Sequence, residues 1–259
     1  HRVDRRQRQM CIRDRSAAIL TGVAGGIGAA IGKALVSSGR HVVGIDTITP
    51  PLGSCSVHVA GNLATLAQGL DRATPLLRQI QDAVGDRDLP LLINNAAVQR
   101  LGRTEDLEWE AWNETIQVNL TAPFVLIQCF VKRLRRSKGL VINIGSVHAR
   151  ATKPKFAAYA TSKAALHGLT RALAVDLGPE IRVVTLAPAA IETPMLLAGF
   201  DGDGQALEAL REIHPAGRIG HPEEVAEAIL WLSNGGASFM TGSALWLDGG
   251  ITVRLHDVE

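Results

Sequence analysis

The only tyrosine in this chain of 259 residues, Tyr159, stands four positions before Lys163 in the stretch YATSK. Positions i and i+4 of a helix share a face, so the spacing sets an ammonium group beside a phenol. A free phenol ionises near pH ~10, too high for a base at neutral pH, and an adjacent positive charge favours the phenolate. Such a pair has the makings of a general acid/base that takes a proton from a hydroxyl and returns it to a carbonyl oxygen. A partly buried phenol next to a solvated lysine is the plain alternative, and the surrounding elements decide between the two.

From Ser16 onward, short β-rich runs alternate with longer helical patterns, with no internal repeat and no low-complexity linker. The expected strands cover 17–21, 41–45, 56–60, 89–94, 140–145, 181–187 and 244–248, with helical stretches between them. Near-continuous apolar strands separated by helices predict a parallel sheet covered on both faces, a doubly wound, Rossmann-type α/β fold. Ligands of such a sheet collect at the carboxyl ends of the strands. The span between Asp46 and the third strand is short and contains Pro50 and Pro51, so the helix usual there is expected to be missing or reduced to a turn.

The first strand end reads TGVAGGIG, 21–28, and a helical pattern follows it. Glycines at 22, 26 and 28 allow a tight turn, close approach to a pyrophosphate and close helix packing, with the helix N-terminus facing the phosphates. A glycine-rich turn alone is weak, but here the next strand ends in Asp46, eighteen residues after Gly28, and this context points to a dinucleotide. A carboxylate at that place accepts hydrogen bonds from the adenosine ribose hydroxyls and repels the 2′-phosphate of NADP, which favours NAD. Gly25 offers no positive charge to offset that phosphate, and Arg40 precedes its strand and belongs at the opposite end. The fourth strand ends in NNAA, 94–97, whose amides can hold backbone carbonyls. The fifth ends at Ser146, and the sixth in APAAIETP with Pro188 and Thr193.

In this order, TGVAGGIG, NNAA, VNL, IGS, YATSK, APAAIETP and LDGG make the chain from Ser16 to about Gly250 resemble the short-chain dehydrogenase/reductase (SDR) family. The resemblance implies a single domain with a seven-stranded parallel sheet. It also implies a catalytic set of Asn119, Ser146, Tyr159 and Lys163. Tyr159 is the acid/base of that set, Ser146 orients the substrate oxygen, Lys163 also holds the nicotinamide ribose, and Asn119 fixes a water that relays protons. The cofactor contacts it implies come from Gly22, Gly26, Ile27, Gly28 and Asp46, from Asn62 and Leu63 near adenine, and from Asn95 and Ala96. Pro188, Ile191 and Thr193, with Tyr159 and Lys163, complete them. Ala97 and Ala189 stand where glycine is usual in the family, Ala24 where serine is frequent, and Asn62 where an aspartate meets adenine. None of these departures removes a catalytic group.

The expected activity is NAD-dependent interconversion of a secondary alcohol and a ketone. The alternatives are an NADPH-dependent carbonyl or 3-ketoacyl reductase and a non-catalytic dinucleotide sensor on the same fold. For the substrate, Gln99 and His148 resemble the carboxylate-holding pattern of relatives that oxidise 3-hydroxybutyrate, although Phe156 replaces the lysine of that pattern. With Arg150, Lys153 and Lys155 on the same loop, several anion-binding donors are expected to face one pocket, for a small hydroxy acid, polyol or sugar acid. The stretch 193–220 mixes an apolar stripe with glycines and is expected to form a lid. The helices around FVLIQCFVKRL and YATSKAALHGLTRALAVDL carry more apolar surface than one sheet face should cover, and the resemblance to family tetramers, where these helices pair between subunits, implies a homotetramer, with a dimer next.

Other classes are disfavoured by composition and charge. The first fifteen residues hold six arginines and two aspartates, and they resemble translated adapter sequence, so a non-native or disordered leader is expected there. The remainder carries 21 basic and 23 acidic residues, which argues against a nucleic-acid partner. No apolar run approaches the roughly 20 residues that span a bilayer, so no membrane partner is expected. Cys11, Cys55 and Cys129 lack metal-ligand spacing, so neither a disulfide framework nor a metal site is expected, and a reducing cytoplasm is the expected location.

Overall fold

The apolar runs become strands in a computed structural model that describes residues 16–255, with the expected leader at 1–15 lying outside the described residues. The strands are β1 (Ser16–Thr21), β2 (His41–Asp46), β3 (Val57–Ala60), β4 (Asp88–Asn94), β5 (Leu140–Ile144), β6 (Arg182–Pro188) and β7 (Ala244–Leu247). They form one sheet in the order β3-β2-β1-β4-β5-β6-β7, and every neighbouring pair is parallel. The order reverses beside β1, so β1 and β4 flank the crevice where a dinucleotide binds in this architecture. β1 and β5 are buried along their whole length, which explains why their sequences run apolar without alternation.

Helices cover both faces. On one side lie α2 (Leu70–Val84), α4 (Ala122–Arg136) and α5 (Ala157–Leu177), where Leu76, Ile80, Leu126, Phe130 and Leu173 pack on Ile19, Val43 and Leu92. On the other lie α1 (Gly26–Ser37) and α8 (Pro222–Ser233), where Ile31, Leu35, Val225 and Ile229 pack on Leu20, Ile93 and Ile142. Each such fully buried side chain is worth roughly 1.5–3 kcal/mol. Local chemistry agrees with this placement. α4 begins with Pro123 in its first turn and ends with Arg133, Arg135 and Arg136, which suit the negative end of the helix dipole. α8 opens with Pro222, Glu223 and Glu224, and Glu224 closes a capping box with His221.

No helix stands between β2 and β3, in agreement with the proline-bearing short connection. Another expectation needs correction. α3 (Trp109–Ile116), a π turn (Gln117–Thr121) and α4 run together as one helix of 28 residues, Trp109–Arg136, long and apolar enough to cross a membrane by length and composition. The sequence hid it because polar residues such as Asn113, Glu114 and Gln117 interrupt the apolar run, and only an 18-residue stretch of the helix is apolar on average. Here the helix serves the core, with Leu126, Phe130 and Leu134 fully buried against the sheet. After β6 come two short helices, α6 (Pro194–Ala198) and α7 (Gly204–Glu212), within the stretch expected to form a lid.

Candidate active site

α5 places Tyr159 and Lys163 on one face, as the spacing predicts. The Lys163 side chain is buried at 2 % exposure, and its Nζ lies 5.6 Å from the centre of the Tyr159 ring. Nζ donates to the Ile144 carbonyl at 2.7 Å, so the ammonium is anchored to the last residue of β5. Two residues on, Ser146 caps the short 3₁₀ turn Val147–Ala149, its Oγ accepting from the His148 amide at 3.2 Å. The Ser146 side chain stands near the Tyr159 hydroxyl and favours its ionised form. A phenol, a serine hydroxyl and an ammonium thus meet at the carboxyl end of β5.

Their electrostatics differ from the sequence expectation. Burial pushes the Tyr159 phenol above its ordinary value, and the Ser146 side chain opposes that rise. Burial also pulls Lys163 down to about 8. The expected lowering of the phenol by Lys163 is not among the causes of this shift in the protein by itself, where the cost of charging a desolvated phenol sets the direction.

Asn119 sits in the π turn, an irregularity that often marks functional helix segments. Its side chain is committed at both ends. Oδ1 accepts from Val98 N at 2.8 Å, and Nδ2 donates to Val98 O at 3.0 Å and to Ser162 Oγ at 3.0 Å. The side-chain amide thereby ties the loop after β4 to α5.

The cofactor side is built on the end of β1. Thr21 Oγ1 accepts from the amides of Asn95 and Ala96, both at 3.0 Å, and Asn95 Nδ2 donates to Thr21 O at 2.9 Å and Gly22 O at 3.0 Å. Asn95 holds backbone carbonyls as expected. Asn94 does not, because its Nδ2 turns to Asn143 Oδ1 at 2.8 Å inside the sheet. Gly22 has φ +70°, and a Cβ on Gly28 would stand 1.9 Å from Gly22 O. Only glycine fits at 28, and Gly28→Ala is expected to lose about 1–3 kcal/mol of stability together with dinucleotide binding. Thermal melts and an NAD titration check this, and unchanged values in both would reject the close-packed turn.

A dinucleotide fits this cradle. The N-terminus of α1 has no side-chain cap and no acidic residue in its first turn, so its amides and dipole favour an anion. Asp46 lies beside it, Oδ2 accepting from Ala24 N at 2.9 Å and Oδ1 from Thr47 N at 2.8 Å, which fixes the carboxylate against the glycine-rich turn. Asn62 Oδ1 accepts from Ala64 N at 2.9 Å and so caps the 3₁₀ turn Leu63–Ala67. Across the cleft Thr193 caps α6, and its methyl group would lie 2.9 Å from a Cβ on Gly26. Ile191 bridges to Gly220, and Pro188 closes β6. Ile27 follows Gly26 in the first turn of α1.

The donors expected to face one pocket have different neighbours in the structure. Burial, with Lys153 nearby, pulls His148 down to about 4, so its ring is neutral at neutral pH. Lys153 Nζ sits 4.8 Å from the Phe156 ring centre, and the Arg150 guanidinium lies 6.0 Å from a Trp246 ring centre. The cations rest on aromatic faces rather than converging on one ligand. Gln99 is exposed and lines a cleft with Arg100, Leu107 and Glu108.

Residues 22–252 match the family model described as Enoyl-(Acyl carrier protein) reductase. The chain belongs to the short-chain dehydrogenase/reductase family. It is 36% identical over 243 residues to 2,5-dichloro-2,5-cyclohexadiene-1,4-diol dehydrogenase of Sphingobium indicum, an alignment covering 90% of this chain and 96% of that protein. Among solved structures it resembles ligand-free aldohexose dehydrogenase of Thermoplasma acidophilum, with a TM-score of 0.87, 30% identity and coverage of 96% of this chain and 98% of the other. It also resembles 4-hydroxyisoleucine dehydrogenase complexed with NADH, with a TM-score of 0.83, 28% identity and coverage of 93% and 100%.

Three residues of this short-chain dehydrogenase/reductase were not singled out as functional from the sequence. Ser162, fully buried, donates from Oγ to Tyr159 O at 2.7 Å while receiving Asn119 Nδ2. Thr21 organises the NNAA turn as described. Phe156 stacks on His148 with ring centres 4.4 Å apart and a 9° interplanar angle. Ser162 and Thr21 lie inside the quoted motifs, so a polar residue buried within a motif was the available signal.

Proposed function

We propose that this protein oxidises a secondary alcohol to a ketone, and reduces the ketone in return, with NAD as its preferred cofactor and a diol or polyol as its substrate class. The observation that carries the reading is the meeting of the Tyr159 hydroxyl, the Ser146 side chain and the Lys163 ammonium at the end of β5. The names of the relatives, a cyclic diol dehydrogenase and an aldohexose dehydrogenase, support the substrate class. The NADH complex of the third supports a nicotinamide cofactor.

Gly22, Gly26, Ile27 and Gly28 would hold the pyrophosphate, Asp46 the adenosine ribose, and Asn62 and Leu63 the adenine. Asn95, Ala96, Pro188, Ile191 and Thr193 would line the nicotinamide end, and Lys163 would hold its ribose. Bound there, NAD supplies the hydride acceptor and a positive ring. Ser146 holds the substrate oxygen, and Tyr159 takes its proton in oxidation and returns it in reduction. Lys163 stabilises the phenolate through its charge, and the amide of Asn119 keeps Val98 and α5 in register.

Asp46 favours NAD over the NADPH-linked reductase reading, because a carboxylate against a 2′-phosphate costs several kcal/mol. Wild-type kcat/KM for NAD is expected to exceed that for NADP by about 100-fold, roughly 2.7 kcal/mol. Asp46→Ala combined with Gly25→Arg narrows that gap. Asp46→Ala alone also releases the Ala24 amide, so it weakens both cofactors. Equal or better wild-type efficiency with NADP rejects the reading. The same proposal extends to a homotetramer in a reducing cytoplasm, with 193–220 closing over the substrate. Light scattering that shows only monomer at micromolar concentration counts against the assembly.

A further inference from the structure

Polar ties join β5 to α5 in order along the strand, and the mechanism above leaves the innermost of them without a task. Ser146 stands near the Tyr159 hydroxyl, and the Ile144 carbonyl accepts from Lys163 Nζ. One residue further back on β5, Asn143 Nδ2 donates to Thr170 Oγ1 at 2.9 Å. Thr170 follows Tyr159 by eleven residues, about three turns, so it lies on the face of α5 that carries Tyr159 and Lys163. Its hydroxyl has a single proton, which goes to Leu166 O at 3.0 Å, so the contact of 2.8 Å with Thr185 Oγ1 on β6 is a bond that Thr185 donates. Asn143 Oδ1 in turn accepts from Asn94 Nδ2 on β4 at 2.8 Å. Asn94, Asn143, Thr170 and Thr185 are all buried, and together they form a continuous hydrogen-bonded row from β4 through β5 and α5 to β6.

We propose that the Thr170 hydroxyl is a positioning group for the reaction: it fixes how α5 is rotated on the sheet and thereby sets the Tyr159 hydroxyl and the Lys163 ammonium against Ser146. This rests on the alcohol-dehydrogenase reading of those three residues. Burial alone specifies the rotation loosely, because α5 also carries apolar residues away from the core, with Val175 exposed while Leu166, Leu173 and Leu177 are buried. Apolar contacts tolerate a small slide or turn of a helix, whereas a hydrogen bond weakens steeply once its distance or angle departs from the ideal. In the core that loss is not made good by water, so a donor such as Asn143 Nδ2 left unpaired carries its full desolvation cost. The connection to the reacting groups is direct, since Leu166, whose carbonyl takes the Thr170 proton, lies one turn after Lys163. Gly145 permits the close approach, because a Cβ there would stand 2.6 Å from Thr185 Cγ2 and 2.6 Å from His167 Nε2 of α5. The row holds no ionisable group, so it acts through the placing of α5.

The test compares Thr170→Val, which keeps the shape and removes the hydroxyl, with Thr170→Ser, which keeps the hydroxyl and removes a methyl group. Both are made in the full chain and assayed with NAD and trans-1,4-cyclohexanediol beside melting curves. Both lose stability, but only Thr170→Val is expected to lose turnover, by about 10- to 30-fold in kcat with KM for diol and NAD within about 3-fold, because a misplaced acid/base is felt in the chemical step. Thr170→Ser is expected to stay within about 2-fold of wild type in kcat. With NAD bound, the ultraviolet titration of Tyr159, the only tyrosine, is expected to move to higher pH in Thr170→Val and to keep its wild-type position in Thr170→Ser. Thr185→Val removes the tie from β6 and leaves no donor of the row unpaired, so it serves where Thr170→Val does not fold, and it is expected to lower kcat by about 3- to 5-fold. Equal losses of kcat in Thr170→Val and Thr170→Ser overturn the proposal, as does a folded Thr170→Val with wild-type kcat and wild-type titration; where Thr170→Val does not fold, Thr185→Val with wild-type kcat overturns it. The titration needs no substrate, so it decides the proposal even where the wild type fails to oxidise the diol and the dehydrogenase reading falls.

Discussion

Tyr159→Phe lowers turnover by about 10³-fold while leaving the melting temperature and NAD binding near wild type, because the substitution keeps the ring and removes only the ionising oxygen. The phenyl ring still meets His148 and Phe156 edge-on, so the wall of the pocket survives. In the proposed mechanism the lost group is the one that exchanges a proton with the substrate hydroxyl beside Ser146. Because the phenolate is the active form in oxidation, the wild-type rate in that direction rises with pH, and the reductive rate falls. The sequence offers an unusually clean probe of this group: Tyr159 is the only tyrosine, so ultraviolet absorbance of phenolate reports it alone. In the protein by itself, burial predicts ionisation above the ordinary value for a phenol. Adding NAD brings a positive ring near the hydroxyl and moves that ionisation downward. Retained activity in Tyr159→Phe, or a phenolate signal indifferent to NAD, would assign the proton transfer to another group.

The sequence made the sheet legible because parallel strands buried on both faces leave an unbroken apolar record. Each of the seven strands lies within one residue of its expected bounds, and the missing helix after Asp46 follows from Pro50 and Pro51. Residues on fixed elements were equally legible. Tyr159 and Lys163 share a face of α5, and the glycines of 22–28 pack as a turn too tight for a side chain at 28.

Side-chain commitments were not legible, since several partners compete for each polar group and only the fold decides. Asn94 and Asn95 are adjacent and identical in type, yet β4 turns one into the sheet toward Asn143 and the other toward Gly22. Lys153 and Arg150 look like anion donors in a linear reading, but the fold sets aromatic rings beneath them. Phe156 reads as the absence of a lysine and is in fact the surface that holds His148. The π turn at Asn119 leaves no periodic signal, because one extra residue in a helical turn does not alter a composition average.

Lys163→Met is expected to reduce turnover by about 10²–10³-fold and yet to make the protein more stable at pH 7. Burial holds the Lys163 pKa at about 8 against an ordinary 10.5, and no carboxylate is among the causes of its shift. The folded state therefore disfavours the ammonium by about 3 kcal/mol relative to the unfolded chain. Methionine of similar length removes that cost and buries apolar surface in its place. It also forfeits the hydrogen bond to Ile144 O, worth about 1 kcal/mol, so the net gain is about 2 kcal/mol, or roughly 5 °C in melting temperature. The sign of the pH dependence follows from linkage. Between about 8 and 10.5 the unfolded lysine is protonated and the folded one is not, so wild-type stability rises with pH across that window through this group. Below about 8 both states are protonated, and the full cost of the buried charge is present. The stability advantage of Lys163→Met should therefore be largest at pH 7 and shrink as the pH climbs from 8 to 10. Denaturant melts of both proteins at pH 7, 8.5 and 10 measure it. A variant less stable than wild type at pH 7, or a difference that does not change with pH, would mean that the ammonium is not a stored cost. An active variant of raised stability would mean that Tyr159 needs no charge beside it.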